Sequence, residues 1–195
     1  MGNIINICFI TDNNYFVPTL TSIMSLVKNF KQHQLSINII CNNVNHKNVE
    51  FAKTLEFENV KINILKIENP YLELGEKHIH VSKAALLKFS IAQIFSELDK
   101  ILYIDSDVLI FKDLIQLYET DIDNYYAAVV SDMKAVKEYQ FHKKFGLKNY
   151  FNSGVMLLNL KKNKRRQYQR KTNRTKKTRK MPSIYGSRCL KSRLQ

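Results

Sequence analysis

The sequence predicts an α/β domain built on a Rossmann-like mixed sheet that is mostly parallel and carries helices on both faces. Two observations lead to this prediction. Short apolar segments typical of buried strands alternate with segments in which apolar residues recur at helical spacing. Polar clusters follow several of the apolar segments directly, and ligands of such sheets bind beyond the carboxyl ends of the strands.

The strands can be placed from the apolar segments. The chain opens as β-α-β-α-β, which favours parallel pairing of the first three strands. The last strand follows a polar cluster instead of preceding one, so an antiparallel arrangement would bring that cluster to the same edge. Strands are predicted over 4–10, 35–41, 60–67, 101–104, 126–130 and 154–160.

Helices are predicted between the strands. Pro18 suits the first turn of a helix whose recurring apolar residues include Met24. Asn45 is a good cap for the second helix. Ser82 is expected to cap a third helix, with Lys88 on its polar side.

The net charge of +14 is distributed very unevenly. Residues 1–160 contain 16 lysines, no arginine and 17 acidic residues, whereas residues 161–195 contain 15 basic residues and no acidic one. One explanation is a basic arm that binds phosphates. The other, which we favour, is that the tail is read out of frame from A-rich DNA. We therefore expect a folded domain over 1–162 and a disordered basic tail over 163–195.

Composition excludes several classes of protein. Apolar residues make up 45% of the 195 residues, and no apolar segment is long enough to cross a membrane. The start of the chain has no basic region and no small-residue cleavage site, so a secretory signal is not expected. Cys8, Cys41 and Cys189 have neither metal spacing nor an even number, which favours a reducing, cytoplasmic setting.

The most informative segment is Asp105-Ser106-Asp107, directly after a buried strand. Two carboxylates so close together repel each other unless a positive group lies between them. A divalent cation satisfies this need, and oxygen ligands favour Mg²⁺ or Mn²⁺. The alternatives are a simple capping turn, or an Asp nucleophile as in phosphatases that resemble haloacid dehalogenases. Those enzymes carry the motif on their first strand and follow it with Thr, unlike this chain.

Polar residues near the ends of the other strands, and one on a predicted helix, are further candidates. Asp12 could accept hydrogen bonds from a base or ribose, and Tyr15 could stack on a base; a helix entry is the alternative. No glycine-rich phosphate loop is present, so metal or Lys88 must neutralise any bound phosphates. Lys88 could equally be solvated. Asp132 and Asn152 are weak candidates by themselves, since a turn explains Asp132 and a cap explains Asn152.

In combination these segments resemble glycosyltransferase family 8, the retaining enzymes that include lipopolysaccharide galactosyl- and glucosyltransferases and glycogenin. The resemblance covers about residues 3–162 and is carried by segments 7–15, 100–109 and 150–160, in matching order and spacing. It implies a GT-A nucleotide-diphosphate-sugar transferase fold. It also implies Mn²⁺ (or Mg²⁺) as cofactor, a UDP-hexose donor, galactose or glucose as the transferred sugar, and a lipopolysaccharide or oligosaccharide acceptor.

The resemblance also assigns roles to residues. Asp105 and Asp107 would hold the metal, Ser106 would contact the ribose, and Asp132 and Asn152 would contact the transferred sugar as the candidate catalytic residues. Lys88 stands where the family usually has Arg, and Lys lacks the fork geometry of Arg. Residues expected to bind the donor are Thr11, Asp12, Asn14, Tyr15, Lys88, Asp105, Ser106, Asn152 and Ser153.

The tail departs from the family pattern. Family members supply a further metal-binding His and a Gly-Lys-Pro-Trp-like loop after the last predicted strand, and residues 163–195 show neither. We therefore expect an incomplete, truncated GT-A domain with weak or no transfer activity. The competing hypothesis is a protein whose basic tail binds nucleic acid or an anionic membrane. We disfavour nucleic acid, and expect a cytoplasmic protein with possible peripheral contact at the inner membrane face.

Overall fold

The computed structural model describes residues 4–30, 33–41, 44–55, 57–68, 84–138, 140, 143, 146 and 150–164. Six strands form its core. They are β1 (Ile5–Thr11), β2 (Leu35–Cys41), β3 (Val60–Lys66), β4 (Lys100–Ile104), β5 (Ala127–Ser131) and β6 (Phe151–Asn159). The helices are α1 (Phe16–Asn29), α2 (His46–Lys53), a 3₁₀ helix (Ala84–Ser90), α3 (Ile91–Ile94), α4 (Ile115–Tyr118) and α5 (Met133–Lys137).

The six strands form one mixed sheet in the order β3-β2-β1-β4-β6-β5. β1 pairs in parallel with β2 and β4, and β2 pairs in parallel with β3. β6 runs antiparallel to both β4 and β5. The predicted mixed, mostly parallel sheet is confirmed, and so is the antiparallel direction of the last strand.

Side chains of β1 alternate between two apolar cores, one on each face of the sheet. Ile7 and Phe9 belong to a core that includes Ile23 of α1, whereas Cys8 and Ile10 belong to a second core on the other face. This alternation is what a strand buried on both faces requires. The second core also includes Leu87 of the 3₁₀ helix and Ile91 of α3, so helices cover both faces, as predicted.

Most helices lie where the sequence placed them, with two corrections. Asn45 caps α2, because its side chain accepts a hydrogen bond from the backbone N–H of Asn48 at 2.8 Å. Met24, predicted on the apolar side of α1, is 46% exposed. The predicted third helix is divided into the 3₁₀ helix and the short α3, and its predicted cap Ser82 lies outside the described residues.

The last strand begins earlier than predicted. β6 starts at Phe151, so Asn152 and Ser153 lie within the strand and not before it. Its first residues pair with the end of β5, where a register shift occurs between Val129 and Val130. Because this pairing partner lies about 20 residues away in the chain, the local apolar pattern could not show it.

Residues 160–164 form a helical segment after β6. Asn163 and Lys164 lie in that segment, and the Nδ2 of Asn163 donates a hydrogen bond to the carbonyl oxygen of Asn159 at 2.8 Å. The remainder of the predicted tail lies outside the described residues. Among the helices that the structure describes, none is long and apolar enough to cross a membrane.

Candidate functional site

Polar side chains from four strands meet at one edge of the sheet. Asp12 follows the carboxyl end of β1, Asp105 follows β4, and Asp132 follows β5. Since β6 runs antiparallel to β4 and β5, its first residues, including Asn152, lie at the same edge. The topology therefore brings the predicted site residues to one end of the strands, where sheets of this class bind their ligands.

The best-defined contact of the site joins Lys88 to Asp105. The Nζ of Lys88 lies 2.8 Å from Oδ1 of Asp105, and only 14% of the lysine side chain is exposed. The same ammonium lies 3.3 Å from the carbonyl oxygen and 3.4 Å from the Oγ of Ser153. Lys88 is therefore a partly buried, paired cation, and the alternative of a solvated lysine does not hold.

A second donor contacts the same carboxylate oxygen. The hydroxyl of Tyr103 donates a hydrogen bond to Oδ1 of Asp105, and the Tyr103 ring lies 4.8 Å below the ammonium of Lys88. Burial of the phenol, followed by the negative charge of Asp105, raises the pKa of Tyr103 well above its ordinary value. Tyr103 therefore acts in this site as a neutral hydrogen-bond donor.

Gly154 lies directly against the acidic cluster. Its carbonyl oxygen accepts the backbone N–H of Asp105 at 2.7 Å, and its own N–H donates to Oδ1 of Asn152 at 2.7 Å. A Cβ atom at this position would lie 2.9 Å from that Asn152 oxygen and 3.0 Å from Oδ2 of Asp105. The absence of a side chain at Gly154 thus allows β6 to pass close to the end of β4.

Ser106 contributes to the fold of the edge. It is buried, and its hydroxyl donates to the carbonyl oxygen of Ile10 at 2.8 Å, which ties the turn after β4 to β1. The hydroxyl proton is therefore committed to the backbone. The predicted ribose contact of Ser106 stays a prediction.

The segment after β1 forms a turn held by Asp12. Oδ1 of Asp12 accepts the backbone N–H groups of Asn14 and Tyr15, each at 3.0 Å. Thr11 is buried, and its hydroxyl accepts a hydrogen bond from that of Thr19 at 2.9 Å. The Tyr15 side chain is 51% exposed and free to meet a ligand.

Asp132 and Asn152 line an open cavity of about 380 Å³ at the end of β5. Asp132 also caps α5, since its Oδ1 accepts the N–H of Ala135 at 2.9 Å. The alternative for Asp132 is a turn residue, and the structure shows a helix cap in its place. The cavity walls are mainly apolar and include Val130, Met133 and Val155, and such walls suit a ligand held by a few polar groups.

The chemistry of the donor set fits a hard divalent cation. Asp107 is exposed, and Asp105 keeps its Oδ2 directed toward Gly154 while Oδ1 is occupied by Lys88. Mn²⁺ and Mg²⁺ prefer such carboxylate oxygens, and often need few of them when phosphates complete the shell. Within the described residues, no group of three or more His, Cys, Asp or Glu side chains could hold a metal.

Comparison with known proteins decides the family. The model of "Glycosyl transferase family 8" matches residues 6–190. The chain belongs to this family. The expectation drawn from the three motif segments is thereby confirmed.

Relatives of this glycosyl transferase family 8 chain are found among curated bacterial proteins. A putative glycosyltransferase of Haemophilus influenzae is 29% identical over 80% of the chain and 49% of its own length. A lipopolysaccharide 1,2-glucosyltransferase of Escherichia coli K12 is 30% identical over 81% of the chain and 48% of its own length. The chain thus spans about half the length of the curated relatives it matches.

Solved structures show the same fold. The galactosyltransferase LgtC, crystallised with donor and acceptor sugar analogs, superposes with a TM-score of 0.72 at 23% identity, over 83% of this chain and 60% of that one. The apo structure of the bifunctional glycosyltransferase WbbM gives a TM-score of 0.69 at 22% identity, over 83% and 32%. The family 8 chain therefore has the predicted GT-A fold.

Two residues of this family 8 site were missed as functional candidates in the sequence. Tyr103 and Gly154 lie within the motif segments, but no role was predicted for either. For Tyr103 a signal existed: it lies in β4 two residues before Asp105, which directly follows the strand, and side chains two apart in an extended chain point to one face. For Gly154 the signal was weaker, because the need for a missing side chain depends on how closely β6 approaches β4.

Proposed function

We propose that this chain binds a nucleotide-diphosphate sugar at the edge formed by β1, β4, β5 and β6. The site collects Asp12, Asp105 and Asn152 from different strands, which supports a ligand that extends across the whole edge. The donor would be a UDP-hexose carrying galactose or glucose. Membership of glycosyl transferase family 8 and the fold shared with LgtC, which was crystallised with donor and acceptor sugar analogs, support the class of ligand.

The proposed activity is transfer of the hexose to a lipopolysaccharide or oligosaccharide acceptor with retention of configuration. A relative named as a lipopolysaccharide 1,2-glucosyltransferase supports this acceptor class. Retention by double displacement needs a carboxylate nucleophile near the anomeric carbon. Asp132 is the carboxylate in the proposed sugar cavity, but its Oδ1 is used to cap α5. We therefore favour attack by the acceptor from the front face.

The proposed roles follow from the placement of the residues. Asp105 and Asp107 would hold Mn²⁺ (or Mg²⁺), which when bound stabilises negative charge on the departing diphosphate. Tyr15, exposed beside the turn of Asp12, would stack on the base. Lys88 and Tyr103 fix the position of Asp105. Asn152, held by the N–H of Gly154, would face the sugar.

The single observation that carries the proposal is the acidic pair Asp105 and Asp107 at the shared edge. Because the described residues offer two carboxylates and no third metal ligand of the His, Cys, Asp or Glu type, we expect weak metal binding and slow transfer. The predicted cytoplasmic location and the predicted contact with an anionic membrane stay predictions. Binding through the basic tail stays the competing hypothesis.

The proposal is tested by calorimetric titration of the full chain with UDP in the presence of Mn²⁺, followed by a donor-hydrolysis assay with UDP-glucose and UDP-galactose. Asp107→Asn should weaken UDP binding at least about tenfold, because a carboxylate ligand is lost. Asp113→Asn removes the same charge from an exposed position in the same connection and should leave binding unchanged. Equal UDP affinity of the wild type and Asp107→Asn would contradict the proposal.

A further inference from the structure

Lys88 places a fixed positive charge on one of the two proposed metal ligands. Its ammonium lies 2.8 Å from Oδ1 of Asp105, and the side chains of Lys88 and Asp105 are only 14% and 34% exposed. Charges that are partly withdrawn from water are less screened than charges on the surface. Any cation that approaches Asp105 therefore meets a like charge already bound to that carboxylate.

The ammonium of Lys88 is well matched by acceptors. A lysine has three N–H donors, and three acceptor atoms lie within hydrogen-bond distance: Oδ1 of Asp105 and the O and Oγ atoms of Ser153. The ring of Tyr103 adds a favourable contact on another side of the cation. Moving Lys88 away would break all of these contacts, so the lysine is held in place.

Oδ1 of Asp105 is doubly engaged as a result. It accepts from both Lys88 and the hydroxyl of Tyr103, while Oδ2 faces Gly154. A divalent cation at this carboxylate must either use the remaining oxygen or displace the lysine. Both routes lower the affinity, the first through repulsion between cations and the second through the lost contacts.

We infer that Lys88 is a built-in counter-ion of Asp105 that weakens the binding of free divalent metal at Asp105 and Asp107. The inference rests on the proposed function, since it assumes the metal site named there. Under this inference Lys88 is a positioning residue. Lys88 holds the Asp105 carboxylate in place when no metal is bound, and it determines how tightly the metal binds.

The test is direct titration of the full chain with Mn²⁺ and no nucleotide, with free Mn²⁺ read from its electron paramagnetic resonance signal. Lys88→Gln removes the charge but keeps a polar group beside Ser153, and Lys88→Met removes both. We expect each variant to bind Mn²⁺ at least about tenfold more tightly than the wild type, since removal of a like charge at a shared carboxylate has effects of this order. Lys88→Arg keeps the charge and should stay near the wild type.

Lys53→Gln is the matched control. Lys53 also forms a lysine–carboxylate pair, 2.9 Å from Glu50, but both residues belong to α2 and neither is a proposed metal ligand. Its replacement changes the net charge equally and should not alter Mn²⁺ affinity. Thermal melting verifies the fold of every variant. If Lys88→Met does not fold, Lys88→Gln carries the test. If neither variant folds while Lys88→Arg does, Lys88 is required for the fold itself, and the inference that it sets metal affinity is overturned.

The outcomes separate the inference from the proposed function. If the wild type binds Mn²⁺, Asp105→Asn abolishes binding, and the Lys88→Gln affinity is unchanged or weaker, the inference alone is overturned. If the wild type and all Lys88 variants bind no Mn²⁺, the metal part of the proposed function fails together with it. If Lys53→Gln and Lys88→Gln raised the Mn²⁺ affinity equally, the net charge of the protein would explain the effect, and the inference would also be overturned.

Discussion

Gly154 and Asp105 are joined by a backbone hydrogen bond of 2.7 Å, and a Cβ atom on Gly154 would lie 3.0 Å from Oδ2 of Asp105. The same Cβ would lie 2.9 Å from Oδ1 of Asn152. Distances this short force a neighbour to move. Both neighbours have short side chains that are already held, Asp105 by Lys88 and Asn152 by the N–H of Gly154. The gap between Asp105 and Asn152 therefore leaves no room for a side chain at position 154.

We expect Gly154→Ala to damage both stability and the site. Overpacking of a tight position typically costs about 1–3 kcal/mol, and urea unfolding should show a loss in that range. Displacement of Asp105 and Asn152 should also weaken binding of UDP with Mn²⁺, measured by calorimetry. Gly146→Ala is a suitable comparison, because Gly146 has a φ of +64° but no atom within 4 Å of its Cβ position. Gly146→Ala should lose stability, because alanine is strained at a positive φ, and should still bind UDP with Mn²⁺ as the wild type does.

Tyr103 gives a pH-dependent prediction. Its pKa in the folded protein is raised above the ordinary value, first by burial and then by Asp105. Above about pH 10 the unfolded chain releases the phenol proton while the folded chain keeps it, so the free energy of unfolding falls as pH rises. The stability that this group contributes is fully present below that pH.

Tyr103→Phe should remove this part of the alkaline instability. At neutral pH it should cost about 1 kcal/mol, the usual value of one hydrogen bond. Between about pH 9 and about pH 11 its unfolding free energy should fall less steeply than that of the wild type, by up to about 1.4 kcal/mol per pH unit. Urea unfolding across this range measures the difference. Tyr125→Phe, at a 55% exposed position, should follow the wild type, and parallel curves for Tyr103→Phe would contradict the prediction.

The sheet could be predicted because its strands are short apolar segments with sharp polar ends. β2 has the predicted bounds, Leu35–Cys41, and β1 is displaced by a single residue at each end. The division of the third helix could not be predicted, since apolar residues spaced three and four apart fit both a 3₁₀ and an α-helix. Leu87, Ile91 and Phe95 are nevertheless buried together in one core.

The site was only partly predictable, for a different reason. The acidic residues at strand ends follow from topology, but the partner of each side chain depends on pairing between distant segments. Lys88 and Asp105 are 17 positions apart, so the sequence could not distinguish a solvated lysine from a paired one. Gly154 matters because it lets the backbone of β6 come close to the end of β4, and this close approach is determined by the register between the two strands.

Asp132 has a structural role and a proposed functional role that two substitutions separate. As the cap of α5 it accepts the N–H of Ala135 at 2.9 Å, and it also lines the cavity beside Asn152. Asp132→Asn keeps a good cap and removes the charge, whereas Asp132→Ala removes both. We expect a stability loss of about 1 kcal/mol for Asp132→Ala only. Donor hydrolysis should fall in both variants, because both lose the proposed contact of the carboxylate with the transferred sugar, although Asp132 is not the proposed nucleophile. Normal hydrolysis by Asp132→Asn would show that the charge is not used.

Tyr15 allows the nucleotide end of the site to be tested without disturbing the fold. Its side chain is 51% exposed, whereas its backbone contacts the fold: the N–H donates to Asp12 and the carbonyl oxygen accepts from Thr19. Tyr15→Ala should therefore leave the melting temperature nearly unchanged. If the ring stacks on the base, the variant should lose about 1–3 kcal/mol of UDP binding, while Tyr15→Phe keeps the ring and the affinity. Equal UDP affinity of all three proteins in calorimetry would place the base elsewhere and leave the turn of Asp12 as a purely structural entry to α1.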